Sequence, residues 1–347
     1  MAALKSYEYY RDTSGVIYCG NSIDVLKCLP DESVQTCITS PPYWGLRDYS
    51  VDGQLGLEET PEEYVEKMVD IFREVKRVLK GNGTVWLNLG DSYSAGGRGN
   101  GQKGFCKQHT NKGSLGFSVK KPPPGLKPKD LVGIPWRVAF ALQADGWYLR
   151  SDVIEEVEIY CPHCGWHLEE RIWRHSQDRE IIWKKPNPMT ESAKDRPTKS
   201  HEHIFLLSKN AKYYYDADAI AEDGNYDENF YRRKLRASAD YNLKEPYKNN
   251  FLVPNPDKFN GKRNKRSVWT VTTKPFKQAH FATFPPDLIK PCVLAGCPNG
   301  GTVLDPFMGA GTTALVAKEL NRQYIGIELN AEYIDISKPR LAQEMLL

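Results

Sequence analysis

The stretch TVLDPFMGAGTTALVAKELNRQYIGIEL, Thr302 to Leu329, decides the architecture. Thr302 to Phe307 reads as a strand running into Gly309-Ala310-Gly311, Thr312 to Leu320 as a helix, and QYIGIEL as a second strand, with Ala331 to Met345 a terminal helix. Gly309, Gly311 and Ala314 have the G-x-G-x-x-A spacing of a ligand-binding turn between strand and helix, and Glu328 lies 19 residues beyond Gly309 at the tip of the next strand. Glycines let the backbone approach a ligand closely, and an acidic side chain at that tip accepts hydrogen bonds from both hydroxyls of a ribose. The spacing suits a nucleoside, although such turns also serve packing alone. Only 19 residues follow Glu328, too few for further strand-helix units. The rest of the sheet must come from upstream, so the order of elements is circularly rearranged.

Upstream, VQTCIT (Val34 to Thr39) is a strand stopped by Ser40-Pro41-Pro42-Tyr43, because two prolines cannot continue a ladder. Pro61 opens a helix carrying Tyr64, Met68, Ile71, Phe72, Val75, Val78 and Leu79 on one face, and Gly81-Asn82-Gly83 is expected to stop it. Thr84 to Gly90 follows as a buried strand. Residues 91–130 read as a long Gly-, Lys- and Pro-rich loop, Ile134 to Ala144 as a helix, and Trp147 to Ile154 with Glu180 to Lys185 as paired strands around a hairpin insertion, 155–179. His203 to Lys209 is another strand. Residues 210–275 are polar and lack periodicity, which marks a small inserted module between a first part, 1–209, and a last part, 276–347.

Composition narrows the class. Of 347 residues 40% are hydrophobic and 26% charged, which is ordinary for a globular chain, and no apolar run approaches the ~18 residues of a membrane span. Membrane and collagen-like classes are excluded. The N-terminus lacks the apolar core of a secretory signal, so a cytoplasmic location is expected, where eight cysteines would be thiols or metal ligands. Net charge is only +3, but its distribution is uneven. Ser94 to Lys129 carries eight basic residues and no acidic one, and Lys209 to Lys277 carries fifteen basic against nine acidic, with RRKLR and GKRNKR clusters. Each is a solvated loop or part of a face for a polyanion; two in one chain favour the face. Cys161-Pro-His-Cys164 supplies half of a tetrahedral zinc site, to be completed by His167 and His175 or by Cys292 and Cys297, or left as a vestige. Any such zinc would be structural.

DPFMGAGTT (Asp305 to Thr313) together with TSPPYWGLRDY (Thr39 to Tyr49) resembles the amino-group DNA methyltransferases, and the order of motifs resembles their beta class. The resemblance covers both ends of the chain with WKKPNP and RPTKSHEHIF, about 60% of its length. It implies a Rossmann-like, circularly permuted S-adenosylmethionine-dependent methyltransferase sheet with one antiparallel strand, into which 210–275 is inserted as a target-recognition module. By the same resemblance Asp305, Phe307, Gly309, Gly311 and Thr312 line the methionine and sugar pocket, and Glu328 holds the ribose. Phe281, Thr283 and Phe284 close over the methionine, and Asp24 sits near the adenine. Trp183, Lys185, Asn187, Arg196, Thr198 and His201 fall where target strand and base are handled. DNA is then the partner, with a cognate restriction endonuclease and a homodimer as further expectations.

The chemistry fits these residue types. An exocyclic amine on a base is a poor nucleophile because its lone pair is delocalised into the ring. Acceptors for its two N–H groups draw the nitrogen toward tetrahedral geometry and aim the lone pair at an electrophilic methyl. Ser40 Oγ and the Pro41 carbonyl suit that task, with Pro42 shaping the corner and Tyr43 stacking on a flipped base. Trp44 is a second stacking wall or core; Asp91 and Tyr93 contact cofactor or base, or cap a turn. Serine at the head of SPPY resembles cytosine-N4 enzymes, with adenine-N6 transfer the alternative. A non-catalytic DNA-binding protein, a dinucleotide oxidoreductase and an RNA substrate stand as further readings.

Overall fold

The computed structural model describes residues 2–49, 51–94, 122–151, 159–160, 167–168, 181–186, 195–197, 199–224, 261–273 and 283–342. They form two units, Met1–Tyr215 with Ser267–Leu347, and Asp216–Arg266.

The larger unit is built on a ten-stranded sheet. Its strands are β1 (Glu8–Arg11), β2 (Gly15–Cys19), β3 (Val34–Thr39), β4 (Leu79–Leu89), β5 (Tyr148–Ser151), β8 (Ile181–Lys184), β9 (His201–Ser208), β12 (Val268–Thr270), β13 (Thr302–Asp305) and β14 (Gln323–Glu328). Their order is β1-β2-β14-β13-β3-β4-β9-β8-β12, with β5 also on β9. The last two strands of the chain therefore sit in the middle of the sheet, between β2 and β3. Neighbours from β2 to β4 are parallel, and β3 is buried along its whole length, as a parallel strand covered on both faces must be. Two strands run against this direction, β1 at one edge and β9 beside β4, where one was expected.

Helices cover both faces. On one lie α2 (Ser22–Cys28), α3 (Pro61–Val78) and α4 (Ile134–Ala144), which pack on one another. On the other lie α5 (Pro286–Gly296), α6 (Thr312–Glu319) and α7 (Ala331–Ala342). A short α1 (Ala2–Lys5) precedes β1. Thr60 caps α3 by accepting from the Glu63 N–H at 3.2 Å, and Pro61 takes the first turn, where its missing N–H costs nothing. Tyr64, Met68, Phe72, Val75 and Val78 recur at helical spacing and are fully buried. Each such side chain contributes roughly 1.5–3 kcal/mol.

Gly81-Asn82-Gly83 does not separate α3 from the next strand. The helix ends at Val78 and β4 begins at Leu79, so the three residues lie inside the strand as a bulge between the pairs Val34–Leu79 and Thr36–Thr84. Gln35 fills the opposite side, donating to Asn82 Oδ1 at 3.1 Å. Glycine and asparagine mark a turn and a bulge alike.

Nor do the strands at 148–151 and 181–184 pair with each other. β9 is long enough for both: β8 pairs with its residues 201–204 and β5 with 206–208. β6 (Ile159–Tyr160) and β7 (His167–Leu168) form a small antiparallel pair. Cys161 and Cys164 fall between them in sequence and, like His175 after β7, lie outside the described residues.

In the smaller unit, β10 (Glu222–Asp223) pairs antiparallel with β11 (Lys262–Arg263) after a turn of helix at Asp218–Ile220. The Glu222 carboxylate accepts from Arg263 at 3.2 Å and Arg266 at 3.0 Å, so part of the GKRNKR cluster is neutralised within the unit.

Candidate active site

The ends of β13, β14, β2 and β3 open on a cavity of about 320 Å³, at the place in the sheet where connections leave in opposite directions. In an open α/β sheet that is where ligands bind. Asn21, Ser22 and Ile23 line it from the start of α2, Ser40 and Pro42 from the end of β3, and Phe307 to Ala310 from the turn after β13. Thr283 and Phe284 contribute from before α5, and Glu328, Asn330 and Tyr333 from the end of β14 onward. Tyr49 and Tyr333 meet edge to face across 6.2 Å and form an aromatic wall.

The turn after β13 is held by two buried carboxylates. Asp305 accepts from Thr39 Oγ1 at 2.7 Å and the Phe307 N–H at 3.1 Å through one oxygen, and from Thr313 Oγ1 at 2.6 Å through the other. It thereby ties the last residue of β3 to both sides of the glycine turn. Glu328 accepts from the Gly309 N–H at 2.7 Å and the Asn330 N–H at 2.9 Å. Burial is the main influence on both, and it outweighs these hydrogen bonds: it pushes Asp305 up to about 6 and Glu328 up to about 7. Ser22 Oγ donates to the Pro306 carbonyl at 2.6 Å and so locks the head of α2 onto the same turn.

The two glycines do different work. Gly309 lies at φ +51 with no atom within 4 Å of where a Cβ would stand, and it lines the cavity. Gly311 lies at φ +78, and a Cβ there would be 2.8 Å from that of Ser337 on α7. Gly309 leaves the cavity beside it open, and Gly311 lets α6 and α7 approach. Thr312 lines the cavity as the first residue of α6.

The Ser-Pro-Pro-Tyr corner is anchored from three sides. Tyr64 of α3 donates to the Pro42 carbonyl at 2.9 Å. Ser40 Oγ donates to the Tyr43 hydroxyl at 3.2 Å, which donates in turn to Glu202 at 2.8 Å. Asn88 Nδ2 donates to Tyr43 at 2.9 Å and to Glu202 at 3.0 Å, and the other oxygen of Glu202 is paired with Lys185. Burial, with Glu202 alongside, holds the Tyr43 phenol well above its usual range, so it remains a neutral donor. Pro41 is buried, and the Tyr43 ring lies so close to Gly90 that a Cβ there would be 2.4 Å from it. Asn88 and Tyr64 carry no short sequence signal, and Glu202 lies within RPTKSHEHIF, whose expected base-handling residues were Arg196, Thr198 and His201. The β4–β9 pairing of Asn88 with Ile204 brings Asn88 to Glu202, and helical period alone made Tyr64 a core residue.

Other sequence expectations fall differently. Asp24 is exposed on α2, while its three predecessors line the cavity. Phe281, Asn187 and Thr198 lie outside the described residues. Trp44 is core, 5% exposed, with its indole N–H on the Glu58 carbonyl at 3.0 Å. Asp91 caps α4, accepting from the N–H groups of Gly133 and Ile134, each at 3.0 Å from Oδ1. The Arg196 guanidinium stacks 3.8 Å over Tyr93. Cys292 and Cys297 are buried in and after α5, and among the described residues no group of three or more His, Cys, Asp or Glu is placed to hold a metal ion. Among the same residues no helix is long and apolar enough to cross a membrane.

Fold and cavity together set a glycine turn of a Rossmann-like sheet and a Ser-Pro-Pro-Tyr corner on one opening. Residues 34–339 match the DNA methylase family of N6/N4 methyltransferases, and the chain belongs to that family. The Type II methyltransferase M.Cfr9I of Citrobacter freundii is 44% identical over 329 residues, spanning 94% of this chain and 88% of its own. M.SmaI of Serratia marcescens is 43% identical over 326 residues, spanning 94% and 90%. Among solved structures, the cytosine-N4-specific PvuII DNA methyltransferase superposes with a TM-score of 0.59 at 18% identity, covering 98% of this chain and 91% of that one. A putative DNA modification methylase of Thermus thermophilus, TTHA0409, in complex with S-adenosyl-L-methionine, gives 0.52 at 21% identity, covering 94% and 92%. At these identities the two structures speak to the fold.

Proposed function

We propose that this chain transfers the methyl group of S-adenosylmethionine to the exocyclic N4 amine of a cytosine flipped out of DNA. The observation that carries the reading is one cavity lined by both Ser40 and the Gly309–Glu328 nucleoside turn, so that a base amine and a bound nucleoside would share a single space.

The residues present fit the methyl donor. The open space beside Gly309 admits it, Glu328 retains lone pairs on both oxygens for ribose hydroxyls, and Tyr49, Phe284, Phe307 and Tyr333 offer apolar walls. When bound, S-adenosylmethionine supplies an electrophilic methyl on a sulfonium. Ser40 Oγ and the Pro41 carbonyl accept the two N–H groups of the amine and orient its lone pair. The face of Tyr43 stacks on the base in exchange for its lost neighbours. Residues 210–275 act as the target-recognition module, and the basic runs hold the phosphate backbone. The Type II names of the relatives support a restriction endonuclease as functional partner.

Mass spectrometry of nucleosides from treated DNA tests this reading, with N4-methylcytosine expected. N6-methyladenine as the sole product would replace the target base and keep methyl transfer. No modified base on any DNA would refute it. Ser40→Ala should lower kcat far more than cofactor affinity, whereas Tyr43→Ala should also weaken DNA engagement, by ~1–3 kcal/mol on the scale of base–aromatic stacking.

A further inference from the structure

Glu202 stands out among charged groups of the larger unit. It is 15% exposed, lies beside the catalytic corner and falls within RPTKSHEHIF, though not among that stretch's expected base-handling residues. A carboxylate is an acceptor only. Its oxygen facing Tyr43 therefore obliges the phenol to donate, and the phenol oxygen is left to accept from Ser40 at 3.2 Å and Asn88 at 2.9 Å. With the phenol so committed, the Ser40 hydroxyl hydrogen points at Tyr43. Ser40 Oγ accepts from Asn88 Nδ2 at 3.4 Å, and its second lone pair remains for another donor, on a residue that lines the cavity. Lys185, 20% exposed, neutralises the outer carboxylate oxygen.

We infer that Glu202 is a positioning residue that polarises the Ser40–Tyr43 hydroxyl chain, holding Ser40 as a hydrogen-bond acceptor toward the base amine. The inference rests on the proposed methyl transfer and adds a residue to it. Its logic is directional. If Glu202 is replaced by glutamine, the amide can donate to Tyr43, the chain can reverse, and Ser40 then presents a hydrogen to the N–H groups it is meant to accept. The titratable groups around it are Tyr43 after β3 and Lys185 after β8. On β9 itself His201 and His203 flank it in sequence, their rings 5.3 Å apart on the alternate face of the strand.

Glu202→Gln, Tyr43→Phe and their double variant, made in the full chain, test this by single-turnover methyl transfer to DNA. Glu202→Gln should lose about a hundredfold in the rate, while affinities for S-adenosylhomocysteine and for DNA change by less than about threefold. The double variant should be no slower than the worse single variant, because one chain is broken twice. Full activity in Glu202→Gln or additive losses in the double variant would overturn the inference. Should Glu202→Gln fail to fold, Tyr43→Phe carries the test, with a loss of rate at little-changed affinities expected. If the wild type modifies no base, the proposed function fails; if it does and these variants behave as wild type, only the role of Glu202 falls.

Discussion

Glu328 offers a test of the cofactor assignment that needs no DNA. Burial pushes its carboxyl up to about 7, against an ordinary value of 4.5, although it accepts two backbone N–H groups. Ribose hydroxyls donate to the ionised form and favour it, so binding must displace a proton wherever the empty site is protonated. With a carboxyl at about 7, roughly nine-tenths is ionised at pH 8 and one-tenth at pH 6. S-adenosylmethionine affinity should therefore fall about tenfold between those values, or about 1.4 kcal/mol. Calorimetry at pH 6, 7 and 8 in buffers of different ionisation enthalpy reads the affinity and the released proton together. The methionine portion of the ligand also titrates, so the comparison is with Glu328→Gln, which should bind more weakly at pH 8 and lose the pH step attributable to this residue. One of the N–H groups of Gly309 and Asn330 loses its acceptor in that variant, at about 1–3 kcal/mol. An identical pH dependence in wild type and variant, with no proton release difference, would refute the placement of the ribose on Glu328.

Gly309→Leu should abolish cofactor binding with little change in melting temperature. Gly311→Leu should destabilise the fold itself, because it meets Ser337 at a positive φ; equal thermal behaviour of the two variants by differential scanning fluorimetry would contradict this. Thr39→Val removes a donor to Asp305 and should cost about 1–3 kcal/mol in denaturant unfolding, loosening the corner that carries Ser40. The ligand-free chain should lose stability as pH rises. Asp305 and Glu328 have raised folded values, so their contribution is full below about pH 4 and is lost through about 6 and 7, by up to about 3 kcal/mol each. A melting temperature that falls from pH 5 to 8 in Glu328→Gln as steeply as in wild type would show that other groups dominate. Charge reversal in RRKLR should lower the slope of log K for DNA against log salt by roughly 0.9 per lost phosphate contact. In GKRNKR the effect should be smaller for Arg263 and Arg266, which already share Glu222.

The sequence by itself determined the parts whose information is local. Two prolines end β3 whatever surrounds them, the glycine spacing specifies a turn, and the apolar period of Pro61 to Val78 specifies a buried helix face. β13 and β14 take their neighbours from upstream, lying between β2 and β3. Tertiary structure decided what depends on partners. Period and composition cannot say whether 148–151 pairs with 181–184 or both pair with β9, because every strand offers two edges and the choice rests on packing across the sheet. Gly81-Asn82-Gly83 could not be told from a helix stop until Gln35 was seen opposite it. The two glycines looked equivalent until α7 closed on one of them. Glu202 lies 159 residues from Tyr43 and joins the corner only because β9 runs antiparallel to β4, which brings its beginning to the carboxyl end of β3, where a carboxylate excluded from solvent must find donors.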